Sequence, residues 1–207
     1  MNTVAFDLHT ANEVRYVCFK FGDPRYADLF EQYCRLRKRI FIDELEWDMP
    51  DQDGLEIDQY DQETAEYVIA MKNGECVGGC RMHPTTSRFR KEGQTYTYML
   101  RDAVDGKLKD FPRNVTFYSP VEPKIWELTR VISDKNPVGF RDLMWQVRMN
   151  LITRGVTDTL FITRPAIKKI CTMWGYKIDV TGPELAFGKM RAVAVKCNIE
   201  NVRPRRA

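Results

Sequence analysis

Arginines, carboxylates and aromatic rings crowd into a few short stretches of this chain. In RLRKRIFIDELEWDMPDQDGLEIDQYD (residues 35–61), four cations fall within five positions: Arg35, Arg37, Lys38 and Arg39. From Asp43 to Glu66 there follow eleven carboxylates with no Lys or Arg between them. One tryptophan, Trp47, interrupts the acidic block, and Asp58 and Asp61 stand three apart near its end. A run of one sign repels itself on an ordinary packed surface. Two uses remain: a lobe that receives a cation, or one that folds back onto the neighbouring arginines. Further chemistry-bearing groups are Arg81 in CRMHPT, Glu127 and Arg130 in WELTR, and a smaller, more apolar set around Thr163 and the segment that begins at Phe140.

The elements that must position these groups are legible from periodicity. VRYVCFK (14–20) is rich in β-branched and aromatic residues and predicts a strand. Asp23-Pro24 is a helix start, a carboxylate at the N-cap followed by proline at the first helical position. Tyr26, Leu29, Phe30, Tyr33, Ile40 and Phe41 then recur near helical period. Arg37 completes that apolar stripe. Either its stem packs while the guanidinium reaches solvent, or a buried carboxylate or ligand meets it.

AEYVIAM (65–71), Asn73-Gly74 and the run 76–82 predict a hairpin, since Asn-Gly between such runs is the strongest short-range hairpin signal. A short helix is expected near 99–104, a strand at 125–133, a helix over 139–154, a central strand at 159–163 and a helix at 165–174. Strands are expected at 176–180 and around 192–195. Helices and strands in this order predict one mixed α/β (α+β) domain over residues 1–207, a sheet flanked by helices.

Composition narrows the class. With 207 residues, 43% of them hydrophobic, the chain is long enough to bury a core without disulfide or metal staples. The net charge of +3 hides an asymmetry: outside 43–66 there are 18 acidic and 32 basic residues. Such a basic surface attracts an acidic protein, a phosphorylated cofactor or nucleic acid. The six cysteines include no CxxC pair, and there are only two histidines, so no metal site is expected. With no apolar leader and no run of about 18 apolar residues, the expectation is a cytoplasmic protein without a membrane span. The RPRR tail lacks the recognition-helix or basic-aromatic pattern of a nucleic-acid module, and no nucleic-acid partner is expected.

Taken in order, RKRIF, Trp47, EIDQYD, GCRMHPT and WELTR resemble the motifs of the acyl-homoserine-lactone synthases, the LuxI-type autoinducer synthases of quorum-sensing bacteria. That family's pattern has an Arg, a Phe and a Trp at these spacings, then E-x-D-x-x-D, Gly-Cys-Arg-Leu-x-Pro-Thr and Trp-Glu-x-x-Arg. The resemblance spans roughly residues 14 to 180. It implies an acetyltransferase (GNAT)-like fold with a mostly antiparallel central sheet. It also implies an acyltransferase that takes S-adenosylmethionine as substrate, needs no other cofactor, and uses an acyl thioester of acyl-carrier protein or coenzyme A.

On that resemblance Glu127 becomes the general base that frees the α-amine, with Arg130 beside it. Arg37, Phe41, Trp47, Asp58, Asp61 and Arg81 form the adenosylmethionine site and its charged network. Trp47 offers an aromatic face, the aspartates suit the cationic parts of the substrate, and the arginines either meet its carboxylate or fix the aspartates by bidentate bonds. The acyl pocket falls between sheet and helices, with Trp126, Met144, Val147, Phe161 and Thr163 as its lining. Thr163 is suited to an oxygen on the third acyl carbon, and Phe161 to shortening the pocket.

Two points of the resemblance are open to direct inspection. On a regular strand Glu127 and Arg130, three apart, face opposite ways. The family's fold carries a bulge and a splayed strand pair here, so an irregularity is predicted between Trp126 and Ile132. The chain also departs from the pattern: SRFRKEGQTYT (87–97) is longer than the family's link, and KNPVGFRD before the 139–154 helix is no glycine-rich phosphate loop. That absence favours carrier protein as donor, its acidic surface meeting Arg88, Arg90, Lys91, Lys168 or Lys169.

Overall fold

A computed structural model describes residues 14–109, 111–134, 139–187, 190–200 and 202. The expectations for the first thirteen residues and the arginine tail lie outside the described residues. The chain opens with strand β1 (Arg15–Lys20), then a 3-10 turn at Pro24–Tyr26. The Asp23 carboxylate accepts a hydrogen bond from the Arg25 N–H at 3.1 Å, as its N-cap position predicts. Helix α1 (Ala27–Arg37) runs on into a π-helical segment, Lys38–Glu44. Such wide turns are rare and concentrate at functional sites.

The predicted hairpin is β2 (Glu66–Lys72) and β3 (Glu75–Pro84), joined through Asn73 and Gly74, both with positive φ as its tight turn requires. Within the lengthened 87–97 segment a second hairpin stands: β4 (Phe89–Lys91) and β5 (Gln94–Tyr96), turning at Glu92 and Gly93, also with positive φ. Its Phe89 and Tyr96 rings stack on each other and both pack edge-on to Tyr60. This segment is therefore partly core, while its basic residues Arg88, Arg90 and Lys91 stay exposed.

Next come α2 (Met99–Val104), β6 (Ile125–Ser133), α3 (Phe140–Ile152), β7 (Asp158–Thr163) and α4 (Pro165–Met173). The last two strands, β8 (Lys177–Phe187) and β9 (Met190–Asn198), are longer than the sequence pattern implies. The expected strand ends at 180, yet β8 runs on through Gly182 and Pro183 with a register shift between Val180 and Glu184. β8 is an edge strand, where a residue lacking an N–H is tolerated at a bulge.

Seven strands form one sheet in the order β1-β2-β3-β6-β7-β9-β8. All neighbours are antiparallel except β6 and β7. One face carries Val68, Ala70, Cys80, Met82, Trp126, Leu128 and Phe161 against α3 and α4. The other carries Phe19, Tyr67, Ile69 and Ile132 against α1, and Ile125, Leu160 and Ala194 against α2 and its flanking segments. Among the described residues no helix is long and apolar enough to cross a membrane.

The two irregularities expected near Glu127 are both present. Gly79 pairs with Ile132 and Arg81 with Thr129, so two steps on β3 match three on β6. The extra residue is accommodated where Arg130 takes φ +53, a left-handed conformation that is uncommon outside glycine. Beyond Glu127, paired with Leu160, no further residue of β6 pairs with β7, and the parallel ladder opens into a slot.

Tyr33 buttresses the bulge from above: its hydroxyl donates to the Arg130 carbonyl at 2.6 Å. Its ring packs against Gly79, where an added Cβ would come within 2.7 Å of the ring and 3.2 Å of the Val68 carbonyl oxygen. Gly79→Ala is therefore expected to destabilise the fold by about 1–3 kcal/mol through overpacking. A thermal melt of the variant, lowered by several degrees, checks this.

Candidate active site

The acidic block divides into two halves. Asp43, Glu44, Glu46, Asp48, Asp51, Asp53 and Glu63 are exposed; Glu66, on β2, is buried against Arg154, and Glu56, Asp58 and Asp61 form a buried inner set. The inner three fold back onto three arginines. Arg37, fully buried on the α1 stripe, bonds Asp61 bidentately at 2.9 and 2.9 Å and donates its Nε to Glu56. Arg81 bonds Asp58 bidentately at 2.6 and 3.0 Å, reaches Asp61 at 3.0 Å, and gives its Nε to the Thr129 hydroxyl. Arg130 bonds Glu56 at 3.0 Å and Asp58 at 2.6 Å. The Tyr67 hydroxyl adds a bond to Asp61, and the Asp58 N–H another.

Three guanidiniums thus meet three carboxylates, and the formal charge of the cluster is zero. Of the two readings of the acidic block, folding back on arginines accounts for its inner half. Each arginine of the cluster has at least one carboxylate in bidentate or forked geometry, which a buried ion pair requires if it is to offset desolvation. Burial would raise the Asp58 carboxyl, but Arg81 and Arg130 outweigh it and hold it down at about 2. Asp61 is likewise held well below the carboxylate range by Arg81 and Arg37.

Arg130 is the most open member, its side chain 12% exposed. Its guanidinium lies 5.8 Å from the Phe41 ring centroid, and Trp47 stacks on the same ring at 5.1 Å. The π-helical segment delivers Phe41 and closes on Trp47, whose N–H donates to the Phe41 carbonyl. Trp47 stays half-buried, with one of its faces given to Phe41.

Glu127 occupies a different environment. It is 1% exposed, and its two oxygens accept from the Met99 and Leu100 N–H groups at 2.8 Å each, at the start of α2. Burial pushes its carboxyl up to about 7. The Leu100 and Met99 N–H groups and Arg81 temper the rise, and Asp102 adds to it. Glu127 and Arg130 do not bond each other; the bulge instead brings both to the α1 and α2 face, where a regular strand would have separated them.

The five expected acyl-pocket residues belong to the opposite face. Trp126, Val147 and Phe161 are buried in the α3 core, and Met144 packs against it. Thr163, half-buried, shares that side of β7 with Phe161 by alternation. Met144 and Val147 border a small cavity between α3 and the sheet, whose other walls include Leu128, Leu151, Thr159 and Tyr176.

Sequence reasoning singled out Arg37, Asp58, Asp61, Arg81 and Arg130, and the fold brings all five together. It passed over Glu56, the first letter of EIDQYD, although that residue bonds two of the three arginines. It also passed over Tyr67, Thr129, Tyr60 and His83. For Tyr67 a signal existed, since it alternates with Ile69 on the face that Arg81 occupies in the paired strand.

Asp61→Asn removes one charge from a sealed neutral cluster and is expected to cost about 3–5 kcal/mol. Asp48→Asn, in the exposed half, is expected to stay within about 0.5 kcal/mol. Urea unfolding followed by tryptophan fluorescence compares the two. The depressed carboxyls also set a direction with pH. Their stabilisation is present above the unfolded-state value near 4 and fades as pH falls towards about 2, so acid unfolding is expected in that window.

Residues 23–206 of the chain match the autoinducer synthase family. An acyl-homoserine-lactone synthase of Aliivibrio fischeri is 32% identical over 143 residues, which is 65% of this chain and 66% of that protein. The matched part thus spans just under two thirds of that relative. Among solved structures, BjaI, a CoA-dependent acyl-homoserine lactone synthase determined with SAM and isopentyl-CoA, superposes with a TM-score of 0.73 at 23% identity. The superposition covers 91% of this chain and 84% of that one. An acyl-CoA N-acyltransferase from Pseudomonas aeruginosa superposes at 0.56 with 13% identity, covering 88% and 98%. At such identities the superpositions establish a common GNAT-like fold.

Proposed function

Because this chain belongs to the autoinducer synthase family, we propose that it makes an acyl-homoserine lactone from S-adenosylmethionine and an acyl thioester. The observation that carries the chemical part of this reading is Glu127: a sealed carboxyl raised to about 7, on the same face as the ion cluster and beside the open ladder of β6 and β7. A base poised near neutral pH both accepts a proton from an ammonium group and releases it again. Glu127 takes that proton, and the freed nitrogen bonds the thioester carbon. The C–S bond breaks as the tetrahedral adduct collapses, and the second nitrogen proton leaves with the thiolate. The substrate carboxylate then attacks the carbon that bears the sulfonium, closing the lactone and releasing neutral methylthioadenosine. Both steps balance with adenosylmethionine as substrate and no further cofactor.

In this reading Arg130, the most exposed of the three arginines, meets the substrate carboxylate, and the half-buried Trp47 lies against its cationic or adenine part. Arg37, Arg81, Asp61 and Glu56 have no charge to spare and hold Arg130, Asp58 and Phe41 in place. The acyl chain runs beneath β6 towards α3, with Trp126, Met144, Val147, Phe161 and Thr163 around it. Acyl-carrier protein or coenzyme A presents the thioester, and the exposed Arg88, Arg90 and Lys91 suit the acidic surface of a carrier. Both substrates belong to the bacterial cytoplasm.

The decisive assay mixes purified protein with adenosylmethionine and a panel of acyl-carrier-protein and acyl-CoA thioesters. Mass spectrometry should show methylthioadenosine and an acyl-homoserine lactone whose mass gives the acyl group. Acyl transfer without methylthioadenosine would instead indicate a GNAT-like N-acyltransferase acting on another amine.

Glu127→Gln should lower kcat by about 10²- to 10⁴-fold while leaving the melting temperature unchanged or raised at pH 8. The sign follows from the raised carboxyl: the folded state holds this proton more tightly than the unfolded chain, so the group's contribution to stability falls as pH rises through about 7. The glutamine variant loses that dependence. Activity runs the other way, rising with pH through about 7 as the base loses its proton. For Trp47→Ala a higher KM for adenosylmethionine is expected with little change in melting temperature.

A further inference from the structure

His83 stands directly opposite Glu127 across the β3–β6 pair. Both side chains point to the α1 and α2 face, because their neighbours Met82 and Leu128 belong to the α3 core. The imidazole is 1% exposed, and neither of its nitrogens has a hydrogen-bond partner of good geometry among the described residues. The Tyr60 ring closes over it edge-on at 6.2 Å. Arg81, two residues earlier on the same strand face, stacks its guanidinium 5.7 Å from that ring. Asp58 and Asp61 also act on the imidazole from the folded-back segment. An unpaired buried polar group costs about 1–3 kcal/mol, and buried polar atoms in native folds are nearly always paired. Leucine or methionine would fill this position without that cost.

We propose that His83 is a substrate-contact residue: its neutral imidazole accepts a hydrogen bond from the nitrogen to be acylated, next to the carboxylate that removes the proton. This assignment rests on the acyl-transfer reading above. His83 then holds one of the nitrogen's hydrogens while Glu127 removes another, so the nitrogen is fixed beside its base, and the freed amine turns its lone pair from Glu127 to the thioester while still bonded to His83. Burial, together with Arg81, pushes the imidazole down to about 3, with the Tyr60 main chain close enough only to temper that shift. His83 is therefore an acceptor and no rival base at neutral pH, while its neighbour Glu127 is pushed the opposite way. The pair divides the work by environment.

The test uses the full chain. His83→Leu keeps the apolar shape and removes both nitrogens; His83→Gln keeps an acceptor. The leucine variant should melt at or above the wild-type temperature, yet lose about 10- to 100-fold in kcat/KM for adenosylmethionine. The KM for the thioester should be unchanged, and the pH midpoint near 7 should stay where Glu127 sets it. The glutamine variant should recover part of the loss. Independently, the chain has only two histidines, His9 and His83, so ¹⁵N-imidazole labelling gives two spin systems, and His83→Leu identifies the second. Adding adenosylmethionine without thioester should shift the His83 signals. Wild-type kinetics in a folded leucine variant, or unmoved His83 signals at saturating adenosylmethionine, would overturn the assignment. A wild-type protein that neither binds adenosylmethionine nor releases methylthioadenosine would instead overturn the acyl-transfer reading beneath it.

Discussion

Three arginines and three carboxylates share a space from which water is almost excluded, and most of the architecture follows from the need to keep them paired. An unpaired charge there would cost several kcal/mol, so each partner has to be delivered by a different element and held at bonding distance. Arg37 arrives on α1, Arg81 on β3, Arg130 on β6, and Glu56, Asp58 and Asp61 on the irregular segment between the π turn and β2. That segment has little regular structure of its own. What fixes it to the sheet is the ion cluster, with the Asp58 and Asp61 backbone and side-chain bonds tightening its last turn.

The bulge in β6 is the second constraint, and it serves the first. Without the extra residue, Arg130 would point into the α3 core beside Trp126 and Leu128, and Glu56 and Asp58 would each lose a partner. The strained conformation at Arg130 is secured by the Tyr33 hydroxyl above and by a glycine that lets the Tyr33 ring lie against the sheet. Opening of the β6–β7 ladder just past Glu127 follows in the same strand, so a single distorted strand joins the charged face to the apolar one.

Neighbouring carboxyls in this protein show how far environment governs chemistry. Asp58 and Glu127 are both buried on one face, yet two guanidiniums hold the first at about 2 while desolvation carries the second to about 7. The difference lies in bonded partners rather than in depth: Glu127 receives only main-chain N–H groups. The same contrast separates Arg81, saturated with carboxylates, from His83 two residues on, which has none.

By itself the sequence determined the element order, the Asn-Gly hairpin, the helix start at Asp23-Pro24 and the arginine on a buried stripe, because period, turn chemistry and capping act over a few residues. Strand alternation alone left open whether Glu127 and Arg130 share a face; the distortion between Trp126 and Ile132 was implied by the family resemblance. The hairpin at 89–96 and the full length of β8 were not legible. Packing against Tyr60 decided the first, and position at the sheet edge decided the second. Only the tertiary structure decided which half of the acidic block pairs inward, that Glu56 bridges two arginines, and that His83 faces Glu127. Those outcomes depend on distances between segments as much as 74 residues apart, and a charged residue carries no local mark of the partner that folding will bring to it.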